Sequence, residues 1–255
     1  MVNSRIPKII HYCWFGGNSL PGSAIKCINS WKRYFPDYEI KEWNESNYNV
    51  RKIAYIAQAY DARKYAFVSD YARFDILYHE GGLYFDTDVE VIKPFDDILN
   101  NGAFMGCEID GLDINVGCCV NPGLGIAAAP GLGIAAAPGL GLYREVLDFY
   151  ATQQFLMNDG TLNTETVVTK ITKLLKEHGL KNEKGIQFVD GITIYPKEYF
   201  NPLNNNTGEL DITPNTHSIH WYSMSWMSST QKVKSVITRF FHRIFGENCF
   251  AWLKK

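Results

Sequence analysis

The sequence predicts an α/β fold in which helices flank a single mixed sheet. Strand-like and helix-like segments alternate along most of the 255 residues, which is the pattern of an α/β layer architecture. Hydrophobic residues make up 46% and charged residues 20% of the chain, a balance typical of globular proteins and too apolar for a disordered one. A chain of this length can bury most of its unfolded surface without covalent cross-links.

The first elements are predicted from short apolar runs and their flanks. Residues 8–14 (KIIHYCW) form a buried strand that ends before Gly16–Gly17. Residues 21–35 form a helix, because apolar side chains recur in it at helical spacing. Residues 38–43 alternate like a second strand. A helical region follows at 50–80, with a break near 61–65.

The last part of that helical region has both end signals of a helix. Ser69 is predicted as its N-cap, and Gly81–Gly82 as its C-terminal end. The remaining predicted elements are strands at 83–85 and 89–92, helices at 143–157 and 164–178, and short strands at 186–195 and 217–222.

Charge and cysteine content exclude some classes of protein. The chain has 25 Lys and Arg against 27 Asp and Glu, a net charge of −2, whereas nucleic-acid binders normally have a basic excess. Its six cysteines form no Cys-x-x-Cys pair, so they are predicted to be reduced thiols rather than zinc ligands. The N-terminal stretch does not resemble a signal peptide, which predicts a cytoplasmic location.

A glycine- and proline-rich stretch interrupts the pattern. Residues 114–143 contain no charged residue, and the octamer PGLGIAAA occurs at 122–129 and again at 130–137. The stretch is long enough to cross a bilayer, but its repeated prolines would break a spanning helix. We interpret it as a tandem duplication within a strand–loop region, and predict that one copy can be deleted.

Candidate chemistry concentrates in the segment LYFDTDVEVIKP. Asp86 and Asp88 end an apolar strand, and because strand side chains alternate faces, their spacing of two predicts that both carboxylates lie on the same side. Two such carboxylates suit a hard divalent cation. The alternative is a solvated turn. Since a strand-end carboxylate contributes little to a core, Asp88→Asn is expected to remove activity and leave the fold intact.

Two motifs together resemble a known family. They are IPKIIHYCWFGG and SDYARFDILYHEGGLYFDTDVEVIKP. In combination they resemble the DXD-containing sugar transferases, a group with bacterial capsular-polysaccharide glycosyltransferases and the yeast initiating mannosyltransferase type, and more distantly the catalytic domain of the large glucosylating toxins. The resemblance implies a GT-A-like nucleotide-sugar-binding fold, retention of anomeric configuration, and a divalent metal, Mn²⁺ with Mg²⁺ as the alternative.

The resemblance also implies roles for five residues. Asp86 would contact the donor ribose and sugar, and Asp88 would ligate the metal. Asp70 and Arg73 match the Ser-Asp-x-x-Arg motif that holds sugar hydroxyls and phosphate, and Arg73 and both aspartates are the implied catalytic set. Trp14 would stack on the nucleotide base. The alternatives are that Trp14 is a core aromatic residue, and that Asp70 and Arg73 form a surface ion pair.

A second cluster lies in the segment THSIHWYSMSWMSST. By analogy with the same family, His220 is the predicted further protein ligand of the metal, and Ser225–Trp226 a mobile lid over the donor. The alternative is a packed strand rich in aromatic residues. No catalytic base is identifiable. The candidates on the acceptor side are Glu108, Asp110, Asn163 and Glu165.

The predicted function is transfer of a hexose from a UDP- or GDP-linked sugar to a glycan acceptor in surface-polysaccharide synthesis. The two alternatives are a non-catalytic module that binds nucleotide sugar or glycan, and a metal-dependent phosphohydrolase. Residues 1–231 are predicted to form the transferase domain and 232–255 a basic amphipathic tail. The tail has six Lys and Arg against one Glu, so it is expected to lie on the inner face of a membrane and favour a lipid-linked acceptor. Its alternative is a terminal helix packed on the domain.

Overall fold

The computed structural model describes residues 6–110, 117–128, 140–223 and 238. Its helices are α1 (Gly22–Tyr34), α2 (Ala54–Asp61), α3 (Tyr65–Glu80), α4 (Asp96–Leu99), α5 (Leu140–Ala151), α6 (Val167–Glu177) and α7 (Lys197–Phe200). Its strands are β1 (Ile9–Cys13), β2 (Glu39–Trp43), β3 (Gly82–Tyr84), β4 (Val89–Val91), β5 (Phe104–Ile109), β6 (Cys119–Asn121), β7 (Ile126–Ala128), β8 (Gln187–Val189), β9 (Ile192–Tyr195) and β10 (Ser218–His220).

Among the described residues, eight strands form the main sheet. Seven of them lie in the order β2-β1-β3-β7-β5-β9-β8, and β6 pairs with β5. β1 is parallel to β2 and β3, and β5 is parallel to β9, whereas the pairs of β7 with β3 and β5 are antiparallel. β4 and β10 form a separate antiparallel ribbon. The predicted mixed α/β sheet with flanking helices is therefore confirmed.

Two apolar layers cover the two faces of this sheet. Successive side chains of a strand point to opposite faces, so Leu83 packs in the layer that includes α1, whereas Tyr84 packs in the layer that includes α2, α3, α5 and α6. In the same way Phe104 faces the first layer and Met105 the second. Because both faces are buried, the central strands are short apolar runs.

A buried histidine fixes the junction of β1, β2 and α3. The Trp43 indole N–H donates to Nδ1 of His11 at 3.0 Å, so Nε2 carries the proton and donates to the Gly81 carbonyl at 2.9 Å. Burial lowers the pKa of His11 to about 4, although the Gly81 carbonyl opposes this. A Cβ at Gly82 would lie 2.7 Å from the Ile9 carbonyl oxygen, so the chain needs glycine there. His11 therefore holds the strand that leads to Asp86.

Most predicted elements are present, and one helix start is wrong. The expected break near 61–65 occurs, because α2 ends at Asp61 and Arg63 has a positive φ of 57°. Ser69 is not an N-cap, since α3 begins at Tyr65 and the Ser69 hydroxyl donates to the Tyr65 carbonyl inside the helix. The predicted helices at 143–157 and 164–178 correspond to α5 and α6, and the predicted strand at 186–195 is the β8–β9 hairpin.

The first copy of the repeated octamer is part of the main sheet. Residues Pro122–Leu124 form a turn of 3₁₀ helix, and Ile126–Ala128 form β7 between β3 and β5. The second copy, at 130–137, lies outside the described residues. In the part of the chain that is described, no helix combines the length and the apolarity needed to cross a membrane. Cys13, Cys27, Cys107 and Cys118 are buried thiols outside any disulfide.

Candidate functional site

A cavity of about 360 Å³ opens beside the ends of β1 and β3 and the first half of α3. Its lining includes six residues that the sequence singled out. They are Trp14, Asp70, Arg73, Asp86, Asp88 and His220. The structure thus brings these six side chains together at one cavity.

One wall of the cavity is a buried cluster around Arg73. Its Nη2 donates to Asp70 Oδ1 at 2.8 Å and lies 3.3 Å from Asp86 Oδ1. The guanidinium also lies over the Tyr84 ring, whose hydroxyl donates to Asp86 at 3.1 Å. The Arg73 side chain is 4% exposed. Asp70 and Arg73 therefore form a buried pair, and the surface-pair alternative is excluded.

Two groups of this cluster are incompletely stabilised by their neighbours, namely the Asp70 carboxyl group and one N–H of Arg73. Burial raises the pKa of Asp70 to about 6, against the lowering effect of the Arg73 guanidinium. Arg73 Nη1 is buried and has no hydrogen-bond partner among the residues that the structure describes. A buried N–H without an acceptor is costly, so in a native structure it needs an explanation, such as a bound water, an ion or a ligand. Arg73 can therefore donate to a ligand in the cavity.

The other wall is built around Asp88. Its Oδ2 accepts from the Ser223 backbone N–H at 2.8 Å and from the Ser223 hydroxyl at 3.0 Å. Its Oδ1 lies 3.2 Å from His220 Nε2, and its carbonyl accepts from the Trp221 N–H at 2.9 Å. Burial alone would raise the pKa of Asp88, but His220 and Ser223 hold that pKa well below its usual range. Asp88 is therefore ionised and anchors the segment 220–223.

His220 is positioned by the β4–β10 ribbon, where it pairs with Val89 directly after Asp88. Burial disfavours the imidazolium, but the Asp88 carboxylate raises the pKa of His220 above its usual value. Nδ1 of His220 is buried and unpartnered within the described part of the chain. This carboxylate and imidazole come from positions 132 residues apart in the sequence, so their contact is a product of the fold.

The two aspartates lie in a turn rather than in a continuing strand. β3 ends at Tyr84, and the Val89 N–H donates to the Asp86 carbonyl at 3.0 Å. The predicted strand alternation is therefore wrong, although both carboxylates do reach the same cavity. The Asp86 N–H donates to the Gly123 carbonyl at 3.1 Å, and a Cβ on Gly123 would overlap the Asp86 carboxylate. The first PGLG segment thus packs directly on the site.

Trp14 lies at the mouth of the cavity. Its side chain is half-buried, and its indole N–H donates to the Asn18 carbonyl at 2.6 Å. The loop is held by a bond from the Gly16 N–H to Glu45 at 2.6 Å, and Gly16 packs on the Tyr65 ring. Trp14 therefore packs against the apolar layer that includes α1 and also lines the cavity, where its ring can contact a ligand.

Some predicted residues lie elsewhere. Ser225 and Trp226, the predicted lid, lie outside the described residues. None of the four acceptor-side candidates lines the main cavity. Glu108 accepts two side-chain hydrogen bonds, and Asp110 accepts from the Lys197 N–H at 2.8 Å. Sequence reasoning missed Ser223, although it lies in the segment THSIHWYSMSWMSST, and Tyr65, which belongs to no recognisable motif.

The residues present fit a divalent cation as two of its ligands. Within the described ranges, no three His, Cys, Asp or Glu side chains form a metal-binding group. Asp88 offers a carboxylate, and His220 offers Nδ1 when the ring is neutral with its proton on Nε2 beside Asp88. Among the described residues Nδ1 has no other partner. Mg²⁺ and similar ions commonly take one or two carboxylates and complete their shell with substrate phosphates. This donor set therefore fits an ion shared with a diphosphate.

The comparison with known proteins covers the motif SDYARFDILYHEGGLYFDTDVEVIKP. Residues 21–105 match the family model described as a glycosyltransferase sugar-binding region containing a DXD motif. The resemblance to the DXD sugar transferases is confirmed. The chain is also 30% identical over 112 residues to inositol phosphoceramide mannosyltransferase 1 of Schizosaccharomyces pombe, covering 40% of this chain and 34% of the relative. The match thus spans about a third of the relative's length.

Two solved structures are similar in fold. The PaToxG glycosyltransferase is 18% identical, with a TM-score of 0.46 and coverage of 68% of this chain and 69% of the other. The galactosyltransferase LgtC, solved with donor and acceptor sugar analogues, is 14% identical, with a TM-score of 0.46 and coverage of 90% of this chain and 93% of the other.

Proposed function

We propose that the chain is a metal-dependent glycosyltransferase that moves a hexose from a nucleotide diphosphate sugar to a glycan acceptor. One observation carries the proposal: three carboxylates, a buried guanidinium and an imidazole line the same 360 Å³ cavity, and one guanidinium N–H and one ring nitrogen there have no partner among the described residues. A diphosphate sugar offers both the charge and the hydroxyls that such groups bind.

Each side chain has a role in the proposal. Trp14 stacks on the nucleotide base, and Asp70 and Asp86 accept from hydroxyls of the sugar and the ribose. Arg73 donates from Nη1 to the sugar or to the phosphate beside it. Ser225 and Trp226 close over the donor and exclude water, which competes with the acceptor for the activated sugar.

Asp88 and His220 hold the divalent metal, Mn²⁺ with Mg²⁺ as the alternative. When bound, the ion neutralises the charge that develops on the leaving diphosphate. The transfer retains the anomeric configuration. No described carboxylate stands out as a base among the acceptor-side candidates, so the acceptor proton is proposed to leave on the diphosphate itself.

The acceptor is proposed to be a lipid-linked glycan in surface-polysaccharide synthesis at the inner face of a membrane. The relative named for inositol phosphoceramide supports a lipid acceptor, and so does the basic composition of residues 232–255. Co-sedimentation with anionic vesicles tests this point. The full chain should pellet at low salt, and a chain ending at Thr230 should remain in solution. Equal behaviour of the two would reject the membrane proposal.

The central test uses the full chain with a panel of UDP- and GDP-linked hexoses. A saturating donor should raise the melting temperature by about 5–10 °C with Mn²⁺ and not with EDTA, because it binds the native state alone. Acceptor-dependent release of nucleotide, with NMR of the product anomer, then tests transfer and retention. Donor hydrolysis unaffected by acceptor would indicate the phosphohydrolase, and binding without turnover the non-catalytic module. No shift with any donor would reject the proposal.

A further inference from the structure

Tyr222 adopts a backbone conformation that is uncommon for a bulky residue. Its φ is +49°, in the left-handed region that favours glycine and asparagine. Such a conformation persists where surrounding contacts hold it. Tyr222 lies between His220 and Ser223, the two residues that contact the Asp88 carboxylate. The contacts of Tyr222 therefore bear directly on the site.

The Tyr222 hydroxyl is held by two polar side chains from other elements. It accepts from Asn201 Nδ2 at 2.6 Å and donates to Glu108 Oε1 at 3.2 Å. Its ring also packs against the His220 imidazole, with centroids 4.2 Å apart. Asn201 is fully buried, so breaking this contact would leave buried polar groups unpaired. The segment 220–223 is thereby tied to β5 and to the end of α7.

The second oxygen of Glu108 continues the connection to Asp86. Glu108 Oε2 accepts from Asn121 Nδ2 at 3.1 Å. Asn121 Oδ1 accepts from the Gly123 N–H at 2.8 Å, and the Gly123 carbonyl accepts from the Asp86 N–H at 3.1 Å. One chain of hydrogen bonds therefore runs from Asp86 to the segment that holds Asp88, and Glu108 lies at its centre.

We propose that Glu108 is a positioning residue, which fixes the carboxylates of Asp86 and Asp88 relative to one another through Asn121 and Tyr222. The inference rests on the proposed function, because the fixed spacing matters only if the two carboxylates and His220 hold a metal and its diphosphate ligand. Glu108 does not line the cavity, and both its oxygens accept hydrogen bonds from protein. It therefore acts through its partners and not as an acceptor-side base. Preorganisation of this kind matters because a site loosened by about 1 Å loses much of its binding and rate.

The test compares two disruptive variants with a matched control. Tyr222→Phe removes the hydroxyl and keeps the ring against His220. Glu108→Gln keeps the side-chain size, but its amide cannot accept hydrogen bonds from both Tyr222 and Asn121. The control is Tyr195→Phe, because the buried Tyr195 hydroxyl also accepts from an asparagine, Asn101, at 3.0 Å, but belongs to no part of this chain of bonds. Mn²⁺ binding is measured by the EPR signal of free Mn²⁺, with and without UDP or GDP, and the melting temperature is measured without metal.

Tyr222→Phe and Glu108→Gln should each weaken Mn²⁺ binding about tenfold, while their metal-free melting temperatures fall no further than that of Tyr195→Phe. The kcat of both variants should fall together with their affinity for Mn²⁺. If Tyr222→Phe does not fold, the isosteric Glu108→Gln decides. Mn²⁺ affinity within twofold of wild type in both variants, or an equal loss in Tyr195→Phe, overturns the inference. A wild-type chain that binds no Mn²⁺ overturns the proposed function itself, so the two failures are distinguishable.

Discussion

Asp86 and Asp88 lie two residues apart and are held by different parts of the chain. The carboxylate of Asp86 contacts Arg73 and Tyr84, which are 13 and 2 residues away in the sequence. The carboxylate of Asp88 contacts His220 and Ser223, which are 132 and 135 residues away. The side chains around the Asp86 carboxylate therefore come from α3 and β3, which follow one another in the chain. Those around the Asp88 carboxylate require the β4–β10 ribbon.

The two sides of the site therefore contribute to the stability of the fold in different ways. On the Asp86 side, the buried Arg73 guanidinium is shared by the carboxylates of Asp70 and Asp86. Its loss would leave these two carboxylates without their positively charged partner. On the Asp88 side, the carboxylate holds a distant segment in place through two bonds from Ser223. Asp88 is not the surface-accessible strand-end carboxylate that the sequence suggested, because it is largely buried and anchors residues 220–223. The predictions below test each side, from the largest expected effect to the smallest.

Asp88→Asn should reduce transfer at least about 10³-fold, because the amide is a poor ligand for a hard cation and no longer balances His220. The same variant should lower the free energy of unfolding by about 1–3 kcal/mol through the weakened bonds to Ser223. Steady-state kinetics and urea unfolding measure the two effects. Asp61→Asn, at an exposed carboxylate away from the cavity, is the control. Full activity of Asp88→Asn, or wild-type transfer that EDTA leaves unaltered, would reject the metal assignment.

Arg73→Lys should lower the free energy of unfolding by about 2–3 kcal/mol and abolish the donor-induced thermal shift. Lysine keeps the charge but cannot bond Asp70 and Asp86 at once from a planar fork. Arg51→Lys is the matched control, since Arg51 makes an equally short pair with Asp61 at the surface, where such pairs contribute little. Equal losses in the two variants would show that burial of Arg73 is not what matters.

Gly123→Ala should weaken donor binding about tenfold or more, because the added methyl group displaces the Asp86 carboxylate. Gly131→Ala, at the same place in the second octamer, should leave donor binding unchanged. Isothermal titration with the donor and Mn²⁺ measures both. Normal binding in Gly123→Ala would mean that Gly123 does not pack on Asp86, or that the second copy can replace the first in the sheet.

Deletion of residues 130–137 extends this comparison. The first octamer supplies both the contact of Gly123 with Asp86 and the strand β7. The deleted chain should therefore fold and bind donor with unchanged affinity, as followed by circular dichroism and thermal shift. An insoluble product would show that both copies are needed.

The last prediction lies outside the cavity and concerns stability alone, as a pH dependence from His11. The unfolded chain takes up a proton near pH 6.5, whereas the folded imidazole does so at about 4. Its stabilising contribution is therefore complete above pH 6.5 and is lost as the pH falls towards 4, by about 3 kcal/mol over that window. His11→Asn should flatten this part of the profile in urea unfolding. An unchanged profile would show that another group controls acid stability.

The success of prediction from sequence also differs between the Asp86 side and the Asp88 side of the cavity. The elements around Asp86 could be predicted because apolar spacing, the Gly81–Gly82 stop and the Ser-Asp-x-x-Arg motif are local signals. β5 and β7 were not assigned, although they lie at the centre of the sheet. β7 is three residues of a glycine- and proline-rich repeat, and its strand conformation comes from pairing with β3 and β5.

Within the site, His220 was predicted by family resemblance and Ser223 was not predicted. Nothing in the residue types of segment 218–223 shows which of them face Asp88. The register of β10 on β4 decides that, by placing His220 opposite Val89. A shift of one residue would turn His220 to the other face of the ribbon. Ser69 was assigned wrongly for a similar reason, because tertiary packing extends α3 back to Tyr65 beyond the local cap signal.

The distance between Asp88 and Ser223 also matters during protein synthesis. The two residues are 135 positions apart, so at about 5–20 residues per second the ribosome adds Ser223 roughly 7–27 s after Asp88. Throughout that interval the nascent chain already has Arg73, Asp70 and Asp86 but lacks the residues that hold Asp88. A growing polypeptide could therefore carry the Arg73 side of the cavity well before the Asp88 side is assembled. The complete site would form only when β10 pairs with β4.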